Sequence, residues 1–461
     1  MPFHKLPRSP SRIKDLCLLL SSLLIFYLLL LHNPPPLLPL STTNTTPTAL
    51  RHLFFTIAAS SRSLPSRKPY LRLWFSPNAT RALIFLDRPS PLAGDPFLPP
   101  ILTSADTSAF PYSFSRGSRS AIRIARIVKE SVLRNESGVR WYVFGDDDTV
   151  FFPSNLVRAL SKYDHNRWYY IGSSSEGYVQ NAGNSFEMAF GGGGFAISAS
   201  LARVLAGVMD SCLFRYPHLY GSDARVFACV SELGVGLTRE PGFHQVDVRG
   251  DIFGLLAAHP LSPLLSLHHL DRVHPIFPNM TMIPSLEHLF KAVNVDPGRV
   301  LQQTVCYDHL NSLTVSIAWG YAIQVFEGNY LLPDLIQPQR TFSPWRRNSN
   351  ILSGLYVFNT REYSADPCKR PVVFFLESIA SGSVKLWADY TRHIVGNCSR
   401  TRAVTDLEQI RVFSQKLHSD TGEIKAPRRQ CCDIVPSFSR SMVINIRQCG
   451  VGELISMRKQ P

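Results

Sequence analysis

An apolar run that stops abruptly in three adjacent carboxylates, Trp141-Tyr142-Val143-Phe144-Gly145-Asp146-Asp147-Asp148, restricts this chain more than any other feature. The run reads as a strand built for a core, and its end presents negative charges that repel one another. Hard oxygen ligands grouped this way suit Mg²⁺ or Mn²⁺, which can in turn bridge phosphates. The competing reading is an acidic turn that caps the segment beginning near Pro153 and Ser154.

A chain of 461 residues with 45% hydrophobic content can bury a real core and has room for two or three domains. Its net charge of +14 is carried by scattered Lys and Arg, with short clusters such as Arg346-Arg347 and Arg428-Arg429. Aromatic residues do not interleave with these clusters, so a nucleic-acid partner is not expected. A basic surface suits anionic nucleotides and anionic membrane faces, and a solvated face accounts for it as well.

Residues 16–31 are apolar apart from Ser21 and Ser22, are preceded by His4, Lys5, Arg8, Arg12 and Lys14, and are followed by Pro34-Pro35-Pro36. This pattern predicts a membrane helix with a cytoplasmic N-terminus and a luminal remainder. A cleavable signal peptide is the alternative, but no small-residue cleavage site follows, and an uncleaved anchor is expected. The Asn-x-Ser/Thr tripeptides at Asn44, Asn78, Asn135, Asn279 and Asn397 agree with a lumen. So do eight cysteines beyond Cys17, an even number compatible with disulfides. No C-x-x-C or Cys/His spacing of a zinc site appears.

The Pro/Ser/Thr-rich residues 32–49 read as an extended stem. Strands are predicted at residues 53–58 and 81–86, a helix at 120–133 ended by the turn Asn135-Glu136-Ser137-Gly138, a further helix at 156–163 and a strand at 168–171. Alternating strands and helices predict an α/β sheet with its chemistry at strand ends.

Gly191-Gly192-Gly193-Gly194, set inside an apolar segment, points to a ligand or another backbone coming too close for any side chain; a flexible loop is the plainer alternative. It is neither a phosphate-binding P-loop nor a dinucleotide fingerprint. In Gly221-Ser222-Asp223, Val226 and Val230 share a helical face, so Ser222 reads as an N-cap and Asp223 as a first-turn acid. The same placement can hold a carboxylate ready to take a proton from a sugar hydroxyl. His244 reads as a core histidine, whereas the His268-His269 pair could complete a cation site begun by a carboxylate, and its nitrogen donors favour Mn²⁺.

Taken in order, the anchor, the stem, Asp146-Asp147-Asp148, the glycine segment, Gly221-Ser222-Asp223 and His268-His269-Leu270-Asp271 resemble a fringe-like glycosyltransferase of family 31. The likeness is strongest to a plant subgroup filed as a domain of unknown function, and it extends through Pro427-Arg428-Arg429-Gln430-Cys431-Cys432. The resemblance implies a GT-A type, Rossmann-like α/β domain, a UDP-sugar donor, Mn²⁺ (or Mg²⁺) dependence and inversion at the anomeric carbon. It implies Asp148 as direct metal ligand with His269, or alternatively His268, and Asp146 and Asp147 as orienting carboxylates. Asp223 falls at the catalytic base. Ser222 stands where animal fringe enzymes carry a second acid. Thr56, Ala58 and Ser60 match the part of the fold that receives uridine, with Gly192 and Gly193 nearby.

The expected organisation is a cytoplasmic tail (1–15), a signal-anchor helix (16–31), a stem (32–49), a catalytic domain (50–299) and a β-rich, disulfide-stabilised extension (300–461) that holds six of the cysteines. Within the extension, residues 314–323 alternate like a strand. The implied protein is a single-pass type II Golgi membrane enzyme acting on a glycan, glycoprotein or other hydroxyl acceptor, with a β1,3 product suggested by the family and a homodimer compatible with it. A noncatalytic luminal glycan-binding or scaffold protein on the same fold is the alternative, since fold does not fix activity.

Overall fold

The structure is a computed structural model that describes residues 16, 18–25, 27, 46–346, 351–382, 385–396, 398–417, 424–435 and 440–457. The chain divides into two compact units, Met1–Pro47 and Thr48–Pro461. In the first, residues 16, 18–25 and 27 are helical. Among the described residues no helix is long and apolar enough to cross a membrane. The remainder of the expected anchor, Cys17 included, most of the stem and the sequons at Asn44 and Asn397 lie outside the described residues.

The second unit is built on β1 (Leu53–Ala58), β2 (Ala82–Leu86), β3 (Ile101–Thr103), β4 (Trp141–Asp146), β5 (Val150–Phe151), β6 (Tyr170–Gly172), β7 (Phe195–Ser198) and β8 (Leu237–Arg239), then β9 (Phe243–His244), β10 (Val248–Gly250) and β11 (Ser266–Leu267). Seven of these form one sheet in the order β3-β2-β1-β4-β7-β6-β8, and β5-β11-β9 form a small second sheet. The β3-β2-β1-β4 half is parallel, whereas β7 runs antiparallel to both β4 and β6. A parallel sheet needs cover on both faces, and β1, Leu-Phe-Phe-Thr-Ile-Ala, is buried along its whole length. Successive side chains go to opposite faces. Leu53, Phe55 and Ile57 join one core cluster, and Phe54 and Ala58 join the other.

The face with Phe54 is covered by α2 (Ser120–Leu133), α4 (Ala199–Arg215) and α5 (Ser222–Glu232), through Ile122, Val128, Leu205, Met209, Val226 and Val230. The opposite face packs α1 (Leu64–Trp74), α3 (Pro153–Leu160) and α6 (Met282–Val295). Cys212–Cys229 ties α4 to α5.

Beyond residue 300, β12 (Gln303–Asp308), β13 (Leu313–Ala318), β14 (Ala322–Glu327), β15 (Phe342–Pro344), β16 (Val372–Ser381), β17 (Lys385–His393), β18 (Gln409–Gln415), β19 (Cys431–Val435) and β20 (Ser441–Arg447) follow. The expected β-rich character is present, but the alternating residues 314–323 are two strands, not one. Gly320, at φ +76°, reverses the chain between β13 and β14. Eight strands form a sheet in the order β12-β13-β14-β16-β17-β18-β20-β19, while β15 pairs with β10. The sheet curls until its outermost strands are joined by Cys306–Cys432, Cα atoms 5.6 Å apart. Cys368–Cys398 and Cys431–Cys449 complete four disulfides from the eight cysteines.

This sheet shares the core of the first. Phe277 packs edge-on against Tyr321 and Phe375, with ring centroids 5.4 and 6.0 Å away, and the His288 Nε2 of α6 lies 2.8 Å from the Leu376 carbonyl. Phe277→Ala removes the buried ring at that seam and should cost about 3–5 kcal/mol. Calorimetry is expected to show one unfolding transition at a lower temperature; two separate transitions would mean that the sheets fold independently.

Candidate active site

Asp146 ends β4, in register with Ala58 of β1. The turn that follows is fixed by Thr149, whose Oγ1 accepts from the Asp146 N–H at 2.8 Å and donates to the Gly192 carbonyl at 2.7 Å. One hydroxyl thus ties the carboxylate turn to the glycine segment.

Asp147 and Asp148 are buried, which costs heavily unless cations or donors meet them. The start of α1 supplies these. Ser63 donates to Asp147 at 2.5 Å, and one guanidinium nitrogen of Arg67 lies 2.9 Å from Asp147 and 3.0 Å from Asp148. Burial raises the Asp147 carboxyl, with Ser63 and Arg67 opposing. Burial acts the same way on Asp148, but His268 and Arg67 outweigh it and hold the carboxyl at about 2. Asp146 keeps 37% of its side chain exposed, yet the crowding of protein around it pushes its carboxyl up to about 7, with Asp148, Asp223 and Asp147 adding to the shift and His268 opposing it.

β11 delivers His268 into this group. Its Nε2 lies 3.1 Å from Asp148 and 3.9 Å from Asp146. Burial alone would lower this imidazole, but Asp148 and Asp146 raise it to about 9. Asp146, Asp148 and His268 each offer a ligand atom, all within 4.8 Å of one another. The left-handed backbone of His269, φ +50°, turns the adjacent ring elsewhere. Its Nδ1 lies 3.2 Å from Asp247, and the ring is stacked on Trp345, 4.4 Å between centroids and 13° between planes. The family resemblance puts His269 first and His268 second as metal ligand; the structure gathers His268 with the two carboxylates and directs Nδ1 of His269 toward Asp247.

The residues present fit a divalent cation. Oδ1 of Asp148 faces Arg67 and His268, while its Oδ2 and Nδ1 of His268 are buried without a hydrogen-bond partner. Two carboxylates and an imidazole form an O/N donor set of the kind that Mn²⁺ and Mg²⁺ accept.

Each glycine of the tetrad has a separate close neighbour, and a Cβ on Gly191 would lie 3.0 Å from an oxygen of Asp223. The Gly191 N–H donates to Asp223 at 3.1 Å. A Cβ on Gly192 would lie 2.1 Å from the His268 ring, and one on Gly193 would lie 3.0 Å from the backbone of Gln245, whose side chain accepts from the Gly193 N–H. Gly194 has φ +86° and lies against Phe151. Close approach, not flexibility, accounts for the run.

Asp223 stands in the first turn of α5. The N-cap is Gly221, in extended backbone, so Ser222 is the first helical residue, and its hydroxyl donates to Asp223 at 2.8 Å in place of capping the helix. Asp223 and Asp146 line one recess with Ala58, Gly145 and Gly191. Of the other expected uridine-side residues, Ser60 is engaged with Ser63, hydroxyl to hydroxyl at 3.0 Å. Thr56 is fully buried inside β1, its hydroxyl without a partner. Ser63, Arg67, Thr149, Gln245, Asp247 and Trp345 were not anticipated from the sequence. Thr149 directly follows the Asp triplet, Ser63 ends the polar loop after the first strand and Gln245 adjoins His244, whereas Arg67, Asp247 and Trp345 carry no local signal. His244 itself is engaged, 2.9 Å from His259 and 3.3 Å from Glu176.

Gly192→Ala drives a methyl into a buried ring that has no room to retreat, and overpacking of this kind costs about 1–3 kcal/mol. Urea unfolding should show the loss; an unchanged midpoint would mean that His268 moves freely.

Two family models match the chain. One, described as a protein of unknown function, DUF604, covers residues 180–432, and the other, described as Fringe-like, covers residues 95–252. No curated protein matches. Among solved structures, a glycosyltransferase involved in the glycosylation of the major capsid of PBCV-1 is 11% identical, over 51% of this chain and 98% of that one, with a TM-score of 0.26. With more than half of its length inside the first model, the chain belongs to the DUF604 family, and its residues 95–252 are similar to the Fringe-like family.

Proposed function

We propose that the chain transfers a hexose or N-acetylhexosamine from a UDP-sugar to a hydroxyl of a glycan or glycoprotein, with inversion and through a β1,3 linkage, from the luminal side of the Golgi membrane. The observation that carries this reading is the convergence of Asp146, Asp148 and His268 beside a recess that also holds Asp223. Mn²⁺ or Mg²⁺ held by these three side chains would offset the negative charge that grows on the departing diphosphate. Arg67 and Ser63 keep the carboxylates fixed before substrate arrives, so little rearrangement is needed when charge develops.

Asp223 takes the proton from the acceptor hydroxyl as that oxygen attacks the anomeric carbon. Ser222 and the Gly191 N–H each hold one of its oxygens, which sets the direction in which the carboxylate faces the recess. Inversion requires attack opposite the leaving group, and a single base on the acceptor side meets that requirement. Four disulfides, the apolar residues 16–31 and the basic residues before them support a secretory, membrane-anchored setting.

The test is release of UDP by residues 48–461 across a panel of UDP-sugars, with Mn²⁺ or with EDTA. Release is expected with one donor, to be lost in EDTA and in Asp148→Ala. Asp223→Asn should lower turnover by about 100- to 10,000-fold while UDP still binds. Near-normal turnover by Asp223→Asn would remove that residue from the role, and metal-independent turnover would remove the cation.

A further inference from the structure

Resting on that reading of the site, we propose that Trp345, carried in by the C-terminal extension, is a positioning residue for the cation-binding group: it holds His269 face-on and, through it, fixes His268 against Asp146 and Asp148.

A histidine that binds a metal is normally oriented by a carboxylate or carbonyl on its other ring nitrogen. His268 has no such partner, since its Nδ1 is buried without a hydrogen bond. What locates the ring is packing. Gly192 lies on it closely enough to exclude a Cβ, and the His269 ring lies against it at 3.8 Å between centroids, tilted by 32°. Trp345 lies against His269 in turn, more nearly parallel still. Arg249 secures the indole from its own side, with its guanidinium 4.7 Å from the ring and its Nε donating to the Trp345 carbonyl at 2.7 Å. Arg249, Trp345, His269 and His268 therefore form one chain of ring contacts that ends at the carboxylates.

The backbone around these contacts is held in unusual conformations. His269 and Val246 both have positive φ, +50° and +55°, a region that a β-branched residue adopts only where its surroundings over-determine it. Those surroundings are the bond from the Gly193 N–H to Gln245, a 2.6 Å bond from Ser175 to Asp247, and the Asp247 N–H donating to Glu176. The extension reaches the same place twice. β15 pairs with β10 so that Pro344 faces Val248, which carries Trp345 alongside Asp247. Farther on, the Val357 N–H donates to the Glu176 carbonyl and the Tyr178 N–H to that of Leu355, which fixes the loop that holds Ser175 and Glu176. The extension thus supplies part of the site's support, beyond covering an edge of the sheet.

Loss of an outer residue that orients a metal ligand commonly costs about 10- to 100-fold in metal affinity. The test is Mn²⁺ binding by the purified full-length chain, followed by the electron paramagnetic resonance signal of free Mn²⁺, for the parent, Trp345→Ala, Trp345→Leu, Trp345→Phe and Asp148→Ala. The Ala and Leu variants should lose about 10- to 100-fold, because neither offers an aromatic face, and Phe should restore most of the affinity. Parental affinity in Trp345→Leu, which keeps the apolar bulk, would overturn the proposal while leaving the cation site intact. Equal affinity in the parent and Asp148→Ala would overturn the cation site itself, and the role of Trp345 with it.

Discussion

Three carboxylates at the end of one buried strand are the constraint to which the rest of this structure responds. Taking Asp147 and Asp148 out of water is tolerable only with opposite charge and donors at contact distance. None of these can come from β4 itself. Arg67 and Ser63 come from the start of α1, 80 and 84 residues from Asp147, and His268 follows β11, which pairs with β5 in the small β5-β11-β9 sheet. The parallel arrangement of β1 beside β4 puts α1 directly over the turn. The pairing of β11 with β5 brings the histidine to the same turn. Sheet order is therefore as much a part of the electrostatics of the site as the charged residues are.

The glycine tetrad has the complementary role of leaving room. Side chains at these four positions would meet Asp223, His268, Gln245 and Phe151 in turn, so the backbone itself lines the space between His268 and Asp223. That backbone also donates, one N–H to Asp223 and another to Gln245. A carboxylate held by a backbone N–H and a neighbouring hydroxyl has its direction set before any substrate binds. The same short segment therefore touches both His268 and Asp223 and orients the second of them.

Much of this was legible in the sequence where the signal is local. Residues 53–58 and 120–133 show their period within a few residues, and the structure has a strand and a helix at those bounds. The Asp triplet and the glycine run could be singled out because each breaks an apolar stretch. The misreading at residues 314–323 has a physical cause: the turn is Trp319-Gly320-Tyr321, and its aromatic flanks are buried, so polarity does not mark the reversal. The order of His268 and His269 was beyond reach, since one left-handed residue decides which ring faces the carboxylates. Arg67, Asp247 and Trp345 act on partners many residues away, and no local pattern distinguishes them from ordinary surface or core residues.

Covalent ties extend the same dependence to the region of Asp223. Cys212–Cys229 joins α4 to α5, the helix whose first turn carries that carboxylate, while Arg225 in the next turn donates to the carbonyls of Gly221 and Pro217 and lies 4.9 Å from the Tyr112 ring. The helix start is thereby fixed from below by a disulfide and from the side by a buried guanidinium. In the role proposed for Asp223, such double anchoring would matter, because a displacement of about 1 Å from an acceptor hydroxyl can cost on the order of 100-fold in rate. On the proposed reading, the Cys212–Cys229 disulfide serves the placement of Asp223 as well as stability, which links the cysteines to that carboxylate more closely than their separation in sequence suggests.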